Sequence, residues 1–269
     1  MKKILGTYGN SVAHCDAPGL PVRTLFSHQS MGDYVDPFLM LNHAGPAYLV
    51  SAEKYPEDGR RFRDGVQKIT LVYQGELERT GPSGCGGRLA AGDVHWMTAG
   101  AHDACERSQL HGMQEWVQLW VNVPATHRQA IFHPRTFAAR DIPTVPLPDY
   151  AGHVRIIAGN YAGVRGPAHT FTPMDVWDVR LNPASTTTLR VAAGRPLVLV
   201  VLRGRITVND DPRPVNEAQL TLFDREGADV RIKAETHATM LALSGEPIAG
   251  SDAGSTRDAA RDRAISLVH

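Results

Sequence analysis

Apolar residues in this chain fall in short runs bounded by Pro, Gly and polar turn residues. The runs are rich in β-branched and aromatic side chains, which favour strands. In the first half they are Val22–Phe26, Pro37–Asn42, Lys68–Arg79, Val94–Met97 and Trp116–Asn122. In the second half they are Val154–Ile157, Asp175–Leu181, Leu197–Leu202, Ala218–Phe223 and Thr239–Leu243. Many short strands separated by turns predict an all-β protein of the barrel or jelly-roll type. The segment from Ser51 to Gly65, between the runs Pro37–Asn42 and Lys68–Arg79, is polar and predicts a loop that leads into a strand.

The two halves of the chain resemble each other. Val72–Leu77 matches Val201–Ile206, and each segment is followed, after a polar turn, by a similar strand. Self-similarity at half-chain spacing predicts two barrels of the same fold. The Pro-rich stretch from Pro124 to Tyr150 predicts the connection between them. We therefore expect an N-terminal domain at 1–130, a C-terminal domain at 131–248 and a polar tail at 249–269.

Composition excludes several classes of function. The 28 basic residues balance the 28 acidic ones, so no charge pattern for nucleic acid or an anionic membrane is present. No apolar run approaches the length of a membrane span, and none follows the basic N-terminus. Cys15, Cys85 and Cys105 are far apart, which indicates reduced thiols in place of disulfides or a Cys-x-x-Cys zinc site. These features predict a soluble cytoplasmic protein, monomeric or homodimeric.

Several segments resemble a known family, the pirins, whose members are bicupins. The most specific is Gly92–Gly100, with the sequence GDVHWMTAG. The others are Asp36–Leu41, Gly65–Glu78, Val117–Ala125, Val154–Gly159, Gly163–Pro167, Thr170–Pro173 and Gly245–Pro247. The resemblance extends over nearly the whole chain up to about residue 248. It implies two antiparallel jelly-roll barrels packed face to face. It also implies one metal site, usually iron held by three histidines and a glutamate, in the N-terminal barrel. Some members act as quercetin 2,3-dioxygenases, and eukaryotic members are linked to redox-sensitive transcriptional co-regulation.

The chain departs from this family at the residues that would bind the metal. The family has His-Pro-His-Arg-Gly where this chain has Arg61-Phe62-Arg63-Asp64-Gly65, and Gln67 stands at the place of a glutamate. Cys105 and Arg107 stand where the family has its third histidine and its glutamate ligand. The family's aromatic ending after Gly-Glu-Pro is also absent. Guanidinium groups only donate hydrogen bonds and cannot ligate a cation. The sequence therefore predicts that no metal cofactor is bound.

Three interpretations of the altered pocket stay open. In the first, the N-terminal barrel binds a small anionic or carbonyl-bearing molecule, either as a ligand or as the substrate of a metal-independent cyclase, isomerase or lyase. Arginines would then stabilise negative charge while His102 or Glu106 moves a proton. The candidate site residues are Arg61, Arg63, Gln67, His102, Cys105, Glu106 and Arg107. In the second, displaced ligands such as His102, Cys105 and Glu106 support a quercetin 2,3-dioxygenase. In the third, the barrel is the scaffold of a non-catalytic binding or regulatory protein. Whether the protein is an enzyme is thus left open.

Two further groups of residues complete these expectations. The arginines could instead pair with nearby acids in an empty barrel, and those acids are Asp58, Asp64, Asp103 and Glu106. His95 adjoins Trp96 within a predicted strand and is interpreted as structural. His153, His169 and His237 have no paired spacing, so no metal site is expected in the second barrel.

Overall fold

The computed structural model describes residues 1–9, 12–17, 20–55, 65–80, 87–98, 107–127 and 134–248. These residues form β-strands with one short helix, which confirms the all-β prediction. The helix α1 is His28–Met31, and Ser27 caps its N-terminus by accepting a hydrogen bond from the Ser30 backbone N–H. Short 3-10 turns occur at Gly32–Tyr34, Ala125–His127, Ala139–Asp141 and Pro148–Tyr150.

The strands follow one another along the chain with short connections. The first ten are β1 (Ile4–Gly9), β2 (His14–Ala17), β3 (Leu20–Ser27), β4 (Phe38–Tyr55), β5 (Val66–Gln74), β6 (Glu76–Thr80), β7 (Gly87–Ala90), β8 (Val94–Thr98), β9 (Arg107–Asn122) and β10 (Arg135–Phe137). The others are β11 (Thr144–Pro146), β12 (Gly152–Ala158), β13 (Asn160–Tyr161), β14 (Val164–Arg165), β15 (Met174–Leu181), β16 (Thr186–Arg190), β17 (Leu197–Arg203), β18 (Ile206–Val208), β19 (Gln219–Phe223), β20 (Asp229–Ala234) and β21 (Ala238–Gly245). The loop expected from Ser51 is wrong in its first part, because β4 continues to Tyr55 and pairs there with β9.

The described residues divide into two compact units. The N-terminal unit contains those within 12–32 and 37–139, together with Ile248; the C-terminal unit contains those within 1–11, 33–36 and 140–247. The boundary between the units is not one point in the sequence, because the N-terminal strand β1 pairs with β19 and so belongs to the C-terminal unit. The expected tail at 249–269 lies outside the described residues.

The two units have sheets of the same strand order. The N-terminal sheet runs β10-β8-β5-β9-β4-β3-β2, and the C-terminal sheet runs β1-β19-β17-β21-β15-β12-β11. In the first, β6 pairs with β7 and β9; the second unit adds the small sheet β16-β20-β18. All the strand pairs named here are antiparallel. The predicted repeat is therefore present strand for strand.

Two glycines fix how the repeats correspond. Gly75 separates β5 from β6 and Gly204 separates β17 from β18, with φ of +82° and +86°. A Cβ on Gly75 would overlap the Met113 carbonyl oxygen, and one on Gly204 would overlap the His237 carbonyl oxygen. Only glycine combines this φ with so close an approach of another backbone. Since Val72 and Val201 lie three residues before these glycines, they are equivalent positions.

Each unit buries its own apolar cluster. In the C-terminal unit, alternate residues of β12, β15, β17 and β21 meet the apolar side chains of β16, β18 and β20. In the N-terminal unit, Val22, Ala44, Val72 and Trp116 pack with residues of β6 and β7. Because side chains alternate between the two faces of a strand, these clusters identify the equivalent face of each sheet. We call it the inner face.

Candidate functional site

A row of polar side chains crosses six neighbouring strands on the inner face of the N-terminal sheet. Each member stands directly opposite the next, from β3 through β4, β9, β5 and β8 to β10. In that order the members are Thr24, Asn42, Gln118, Thr70, His95 and Thr136. This set is the polar row. Directly opposed side chains in a sheet lie within contact distance of each other.

The central members of the polar row are buried. Asn42 and Thr70 are each 4% exposed, His95 is 5% exposed and Gln118 is 6% exposed. The Thr24 hydroxyl donates to Asn42 Oδ1 at 2.8 Å, and His95 Nδ1 lies 3.1 Å from Thr136 Oγ1. Burying a polar group costs free energy unless hydrogen bonds compensate. Burying four such groups side by side is therefore unfavourable in free energy unless each one forms hydrogen bonds.

The polar row lies between two rows of different character. On one side are the apolar residues Val22, Ala44, Val72 and Trp116. On the other side Lys68 stands opposite both Trp120 and Met97. Lys68 is 3% exposed, and its Nζ lies 5.7 Å from the centroid of the Trp120 ring. The inner face thus brings a cation and hydrogen-bonding groups together in a buried region.

Asn122 extends this region by one more position along β9. It stands opposite Val66 and is 2% exposed. Its Oδ1 is buried and has no hydrogen-bond partner among the described residues. A buried carbonyl oxygen without a donor costs about 1–3 kcal/mol.

The equivalent row in the C-terminal unit is mostly apolar. Following the same pairings from Leu199, its members are Ile156, Trp177, Ala242, Leu199, Thr221 and Thr7. At four of the six positions this unit has an apolar residue where the N-terminal unit has a polar one. The last two positions at one end are polar in both units: the Thr7 and Thr221 hydroxyls lie 3.3 Å apart, in the places of Thr136 and His95. The fold therefore does not require polar residues at Thr24, Asn42, Gln118 and Thr70.

Buried ionic groups also occur on the opposite faces of the two sheets, where they pair with each other. In the N-terminal unit His43 Nε2 lies 3.1 Å from Glu115 Oε1, and both side chains are fully buried. In the C-terminal unit Asp178 accepts from Arg155 at 2.9 Å and lies 3.4 Å from Arg180. Burial, together with the Arg180 charge, lowers the pKa of the nearby His153. The His43–Glu115 and Arg155–Asp178 pairs link neighbouring strands, whereas Asp178 and Arg180 lie in the same strand.

Most of the site residues named from the sequence lie outside the described residues. These are Arg61, Arg63, His102, Cys105 and Glu106. The acids proposed as their alternative partners, Asp58, Asp64 and Asp103, also lie outside them. Arg107 is the first residue of β9, where its backbone pairs with Thr80.

Gln67 is the one named site residue whose side chain is described. It is 3% exposed; its Nε2 donates to Thr98 Oγ1 at 3.0 Å, while its Oε1 finds no donor within the described ranges. Gln67 stands opposite Val121 and Thr98, and it adjoins Lys68 in the same strand. It therefore points to the face opposite Lys68 and the polar row, and the structure does not bring it together with them.

Sequence reasoning missed Lys68, Thr70, Gln118, Asn42 and Asn122, and it interpreted His95 as structural. A signal was present in β5 and β9, where polar residues lie an even number of positions apart: Lys68 and Thr70 are two apart in β5, and Gln118 and Asn122 are four apart in β9. In strands expected to be buried on both faces, an even spacing places such polar residues on one face. The cross-strand register was needed to show that the two series meet.

The described part of the chain contains no group of three or more His, Cys, Asp or Glu side chains placed to hold a metal ion. No helix within the described ranges combines the length and the apolar character needed to cross a membrane.

Family models and known proteins match both units. A model described as Pirin matches residues 19–121, and one described as Pirin C-terminal cupin domain matches residues 176–252. A Pseudomonas aeruginosa protein named "Putative quercetin 2,3-dioxygenase" is 41% identical over 254 residues, covering 92% of this chain and 88% of that protein. Pirin-1 of Arabidopsis thaliana is 31% identical over 153 residues, covering 57% of this chain and 50% of that protein.

Solved structures give the same result. The crystal structure of quercetin 2,3-dioxygenase from Acinetobacter baumannii superposes with a TM-score of 0.83 at 35% identity, covering 93% of this chain and 88% of that one. The nickel(II) complex of the bacterial pirin YhhW from Escherichia coli has a TM-score of 0.62 at 17% identity, covering 90% of this chain and 100% of that one. At that identity the second match supports the fold alone.

Proposed function

Because the chain belongs to the pirin family, with two cupin domains, we propose that its N-terminal unit binds a small anionic or carbonyl-bearing organic molecule at the polar row, without the family's iron. The observation that carries this proposal is the difference between the two inner faces. The two units share one strand order, but the row is mostly apolar in the C-terminal unit and polar in the N-terminal unit. A bound molecule with polar groups of its own would hydrogen-bond to this row, and we infer that this is the role of its polar side chains.

The residues at the family's metal positions do not fit an iron site. Arg61, Arg63 and Arg107 have no lone pair to offer, and their positive charges repel a divalent cation. Cys105 is the one aligned residue that could ligate, and one thiolate does not hold a metal. The same arginines suit an anionic ligand, because guanidinium groups bind carboxylates and enolates through charge-assisted hydrogen bonds.

A chemical step at this site would be a proton transfer without a metal. Arg61 and Arg63 would stabilise an oxyanion as it develops, and His102 or Glu106 would move the proton. This assigns the reaction to the cyclase, isomerase or lyase type. Binding without turnover would instead identify a non-catalytic binding protein.

Two measurements test the proposal. The untagged protein, purified without chelator, is analysed for metals by plasma mass spectrometry, and we expect far less than one metal ion per chain. Near-stoichiometric iron, nickel, copper or zinc would contradict the metal-free part. Calorimetric titration with a panel of aromatic acids and phenols then identifies ligands. Thr70→Val should weaken binding, whereas Thr221→Val, a matched change in the C-terminal unit, should not. Equal affinities for the two variants would place the ligand elsewhere.

The arginine positions are tested with the same panel. Arg61→Ala and Arg63→Ala should each lower affinity for acids more than for neutral phenols, because they remove positive charge. Arg140→Ala is the control, since the Arg140 side chain is 86% exposed. Unchanged binding in both pocket variants would remove the arginines from the site.

A quercetin 2,3-dioxygenase activity is the second candidate, favoured by the names of the Pseudomonas aeruginosa and Acinetobacter baumannii relatives. It requires displaced ligands such as His102, Cys105 and Glu106. Oxygen consumption with quercetin that depends on added iron, and that is lost in His102→Ala, would support it. No oxygen consumption in the presence of iron would exclude it.

A further inference from the structure

A group of polar side chains also lies on the inner face of the C-terminal unit, beyond its mostly apolar row. Asp175 on β15 and Ser244 on β21 stand directly opposite each other, and each lies two residues from a member of that row. Arg195 Nη1 lies 3.7 Å from Asp175 Oδ2, and Arg195 Nη2 donates to Glu246 Oε1 at 2.8 Å. We call these four residues, Asp175, Arg195, Ser244 and Glu246, the Asp175 cluster.

The two inner members of the Asp175 cluster are buried with incomplete hydrogen bonding. Ser244 is 1% exposed, and its Oγ has no hydrogen-bond partner in the part of the chain that the structure describes. Asp175 Oδ1 accepts from the Asn160 backbone N–H at 3.0 Å, whereas the 3.7 Å from Oδ2 to Arg195 is too long for a hydrogen bond. Burial raises the pKa of Asp175 above 3.8 despite these two partners, so they do not fully compensate its charge.

The shared fold does not require an acid and a hydroxyl at these positions. In the N-terminal unit the equivalent residues are Met40 and Trp120, which stand opposite each other in the corresponding strands. The C-terminal unit instead makes room for a carboxylate: a Cβ on Gly159, which has a φ of +83°, would overlap Asp175 Oδ1. Asp and Ser are also smaller than Met and Trp. This layer of the C-terminal unit is therefore both more polar and less filled by the two opposed side chains.

The Asp175 cluster extends from the interior to the surface. The exposed fraction of the side chain rises from 9% in Asp175 to 18% in Arg195 and 51% in Glu246. An ion pair as exposed as that of Arg195 with Glu246 is weak, so a ligand can compete for both partners. Two carboxylates disfavour an anionic ligand, and a guanidinium disfavours a cationic one. Hydroxyl groups both donate and accept, which suits a site that contains donors and acceptors side by side.

We propose that the Asp175 cluster is a second binding site, which takes a small neutral polyol through two adjacent hydroxyl groups. The first hydroxyl donates to Asp175 Oδ2 and accepts from the Ser244 hydroxyl. The second accepts from the Arg195 guanidinium and donates to the Glu246 carboxylate. The site belongs to the C-terminal unit, so it does not rest on the function proposed for the N-terminal unit.

Erythritol and 1,4-butanediol test this proposal, because they differ only in the two inner hydroxyls that make the hydroxyls of erythritol adjacent. Of the four tryptophans, Trp177 alone lies in the C-terminal unit, two residues from Asp175 on the same face. The indole N–H signals of nitrogen-15-labelled protein are followed by NMR, and Trp177→Phe assigns the Trp177 signal. We expect erythritol to shift this signal saturably and 1,4-butanediol to bind at least about 10-fold more weakly.

Two variants test the named contacts. Ser244→Ala should fold, because it removes a buried hydroxyl without a partner, and should weaken erythritol binding about 3- to 10-fold. Asp175→Asn keeps an acceptor for the Asn160 N–H but loses the charged one, so it should weaken binding about 10-fold or more. Thr188→Ala, a change at an exposed residue of β16, is the control and should leave the affinity unchanged.

Four results would overturn the proposal. These are the absence of a saturable Trp177 shift, equal affinities for erythritol and 1,4-butanediol, affinities unchanged in both variants, and an erythritol response confined to the other three indole signals. If Ser244→Ala also loses stability while erythritol has no effect, a structural water between Ser244 and Asp175 explains the cluster. None of these results bears on the N-terminal unit, which the titrations with aromatic acids and phenols test separately.

Discussion

Lys2→Met should destabilise the C-terminal unit by about 2–3 kcal/mol. Lys2 is 1% exposed, and its Nζ donates to the carbonyl oxygens of Arg195, Asp224 and Arg225 at 2.8, 2.9 and 3.1 Å. Losing three charge-assisted hydrogen bonds removes roughly 5–9 kcal/mol of interaction. Removing the buried ammonium returns several kcal/mol of desolvation cost. Methionine keeps most of the apolar stem, so little packing is lost.

The assay combines urea unfolding with hydrogen exchange, which reports β1 and β19 separately from the N-terminal unit. Desolvation lowers the pKa of Lys2 below its ordinary value of 10.5, against the opposing field of Asp224. The folded state thus releases this proton more readily than the unfolded state does. The contribution of Lys2 to stability should therefore rise with pH between its folded pKa and 10.5, and the gap to Lys2→Met should widen. Lys3→Met is the control. A stability equal to that control, or a gap that narrows with rising pH, would refute the reasoning.

Three further predictions follow from the same structure. Gly75→Ala and Gly204→Ala should each cost at least about 2 kcal/mol in urea unfolding, because both glycines combine positive φ with a facing carbonyl oxygen; a cost in one variant alone would contradict their equivalence. The double variant Thr70→Val, Gln118→Leu should change the free energy of unfolding by less than about 1 kcal/mol or raise it, while ligand binding is lost; a loss of several kcal/mol would mean that the polar row stabilises the fold. Burial raises the pKa of Asp175 above 3.8 despite the Asn160 hydrogen bond and the Arg195 charge, so this group's contribution to stability is lost as pH rises from 3.8 through its folded pKa. Relative to the wild type, Asp175→Asn should therefore gain stability across that window, and a constant difference in pH-dependent unfolding would contradict this.

Local pattern was sufficient for much of the fold. The apolar runs correspond to strands, and the match of Val72–Leu77 with Val201–Ile206 identifies the structural repeat. Such features depend on neighbours in sequence, where alternation and turn residues are informative. Glycine is required in each matched segment because a facing backbone carbonyl oxygen leaves no room for a Cβ atom.

Features set by distant parts of the chain could not be read in the same way. Ile4–Gly9 is short and partly exposed, and it becomes a strand because β19 pairs with it. The extension of β4 beyond Ser51 likewise depends on β9. The polar row takes one residue from each of six strands, so its members are unrelated in sequence position and meet only through the register. The family resemblance led to Arg61 and Arg63 because it depends on sequence motifs, whereas Lys68 is recognised only from the cross-strand register.

Comparing equivalent positions of the two units shows which inner-face residues the fold requires to be polar and which it does not. The two units share the strand order, the positive-φ glycines Gly75 and Gly204, and a polar pair at one end of each row. Equivalent positions on the two inner faces therefore have the same backbone setting. At the positions of Thr70 and Lys68 the C-terminal unit has Leu199 and Leu197 in its core. Folding alone would favour the same solution in both units, because apolar residues fill such positions at lower cost. This difference between the units is the basis of our proposal that the N-terminal unit binds a small molecule.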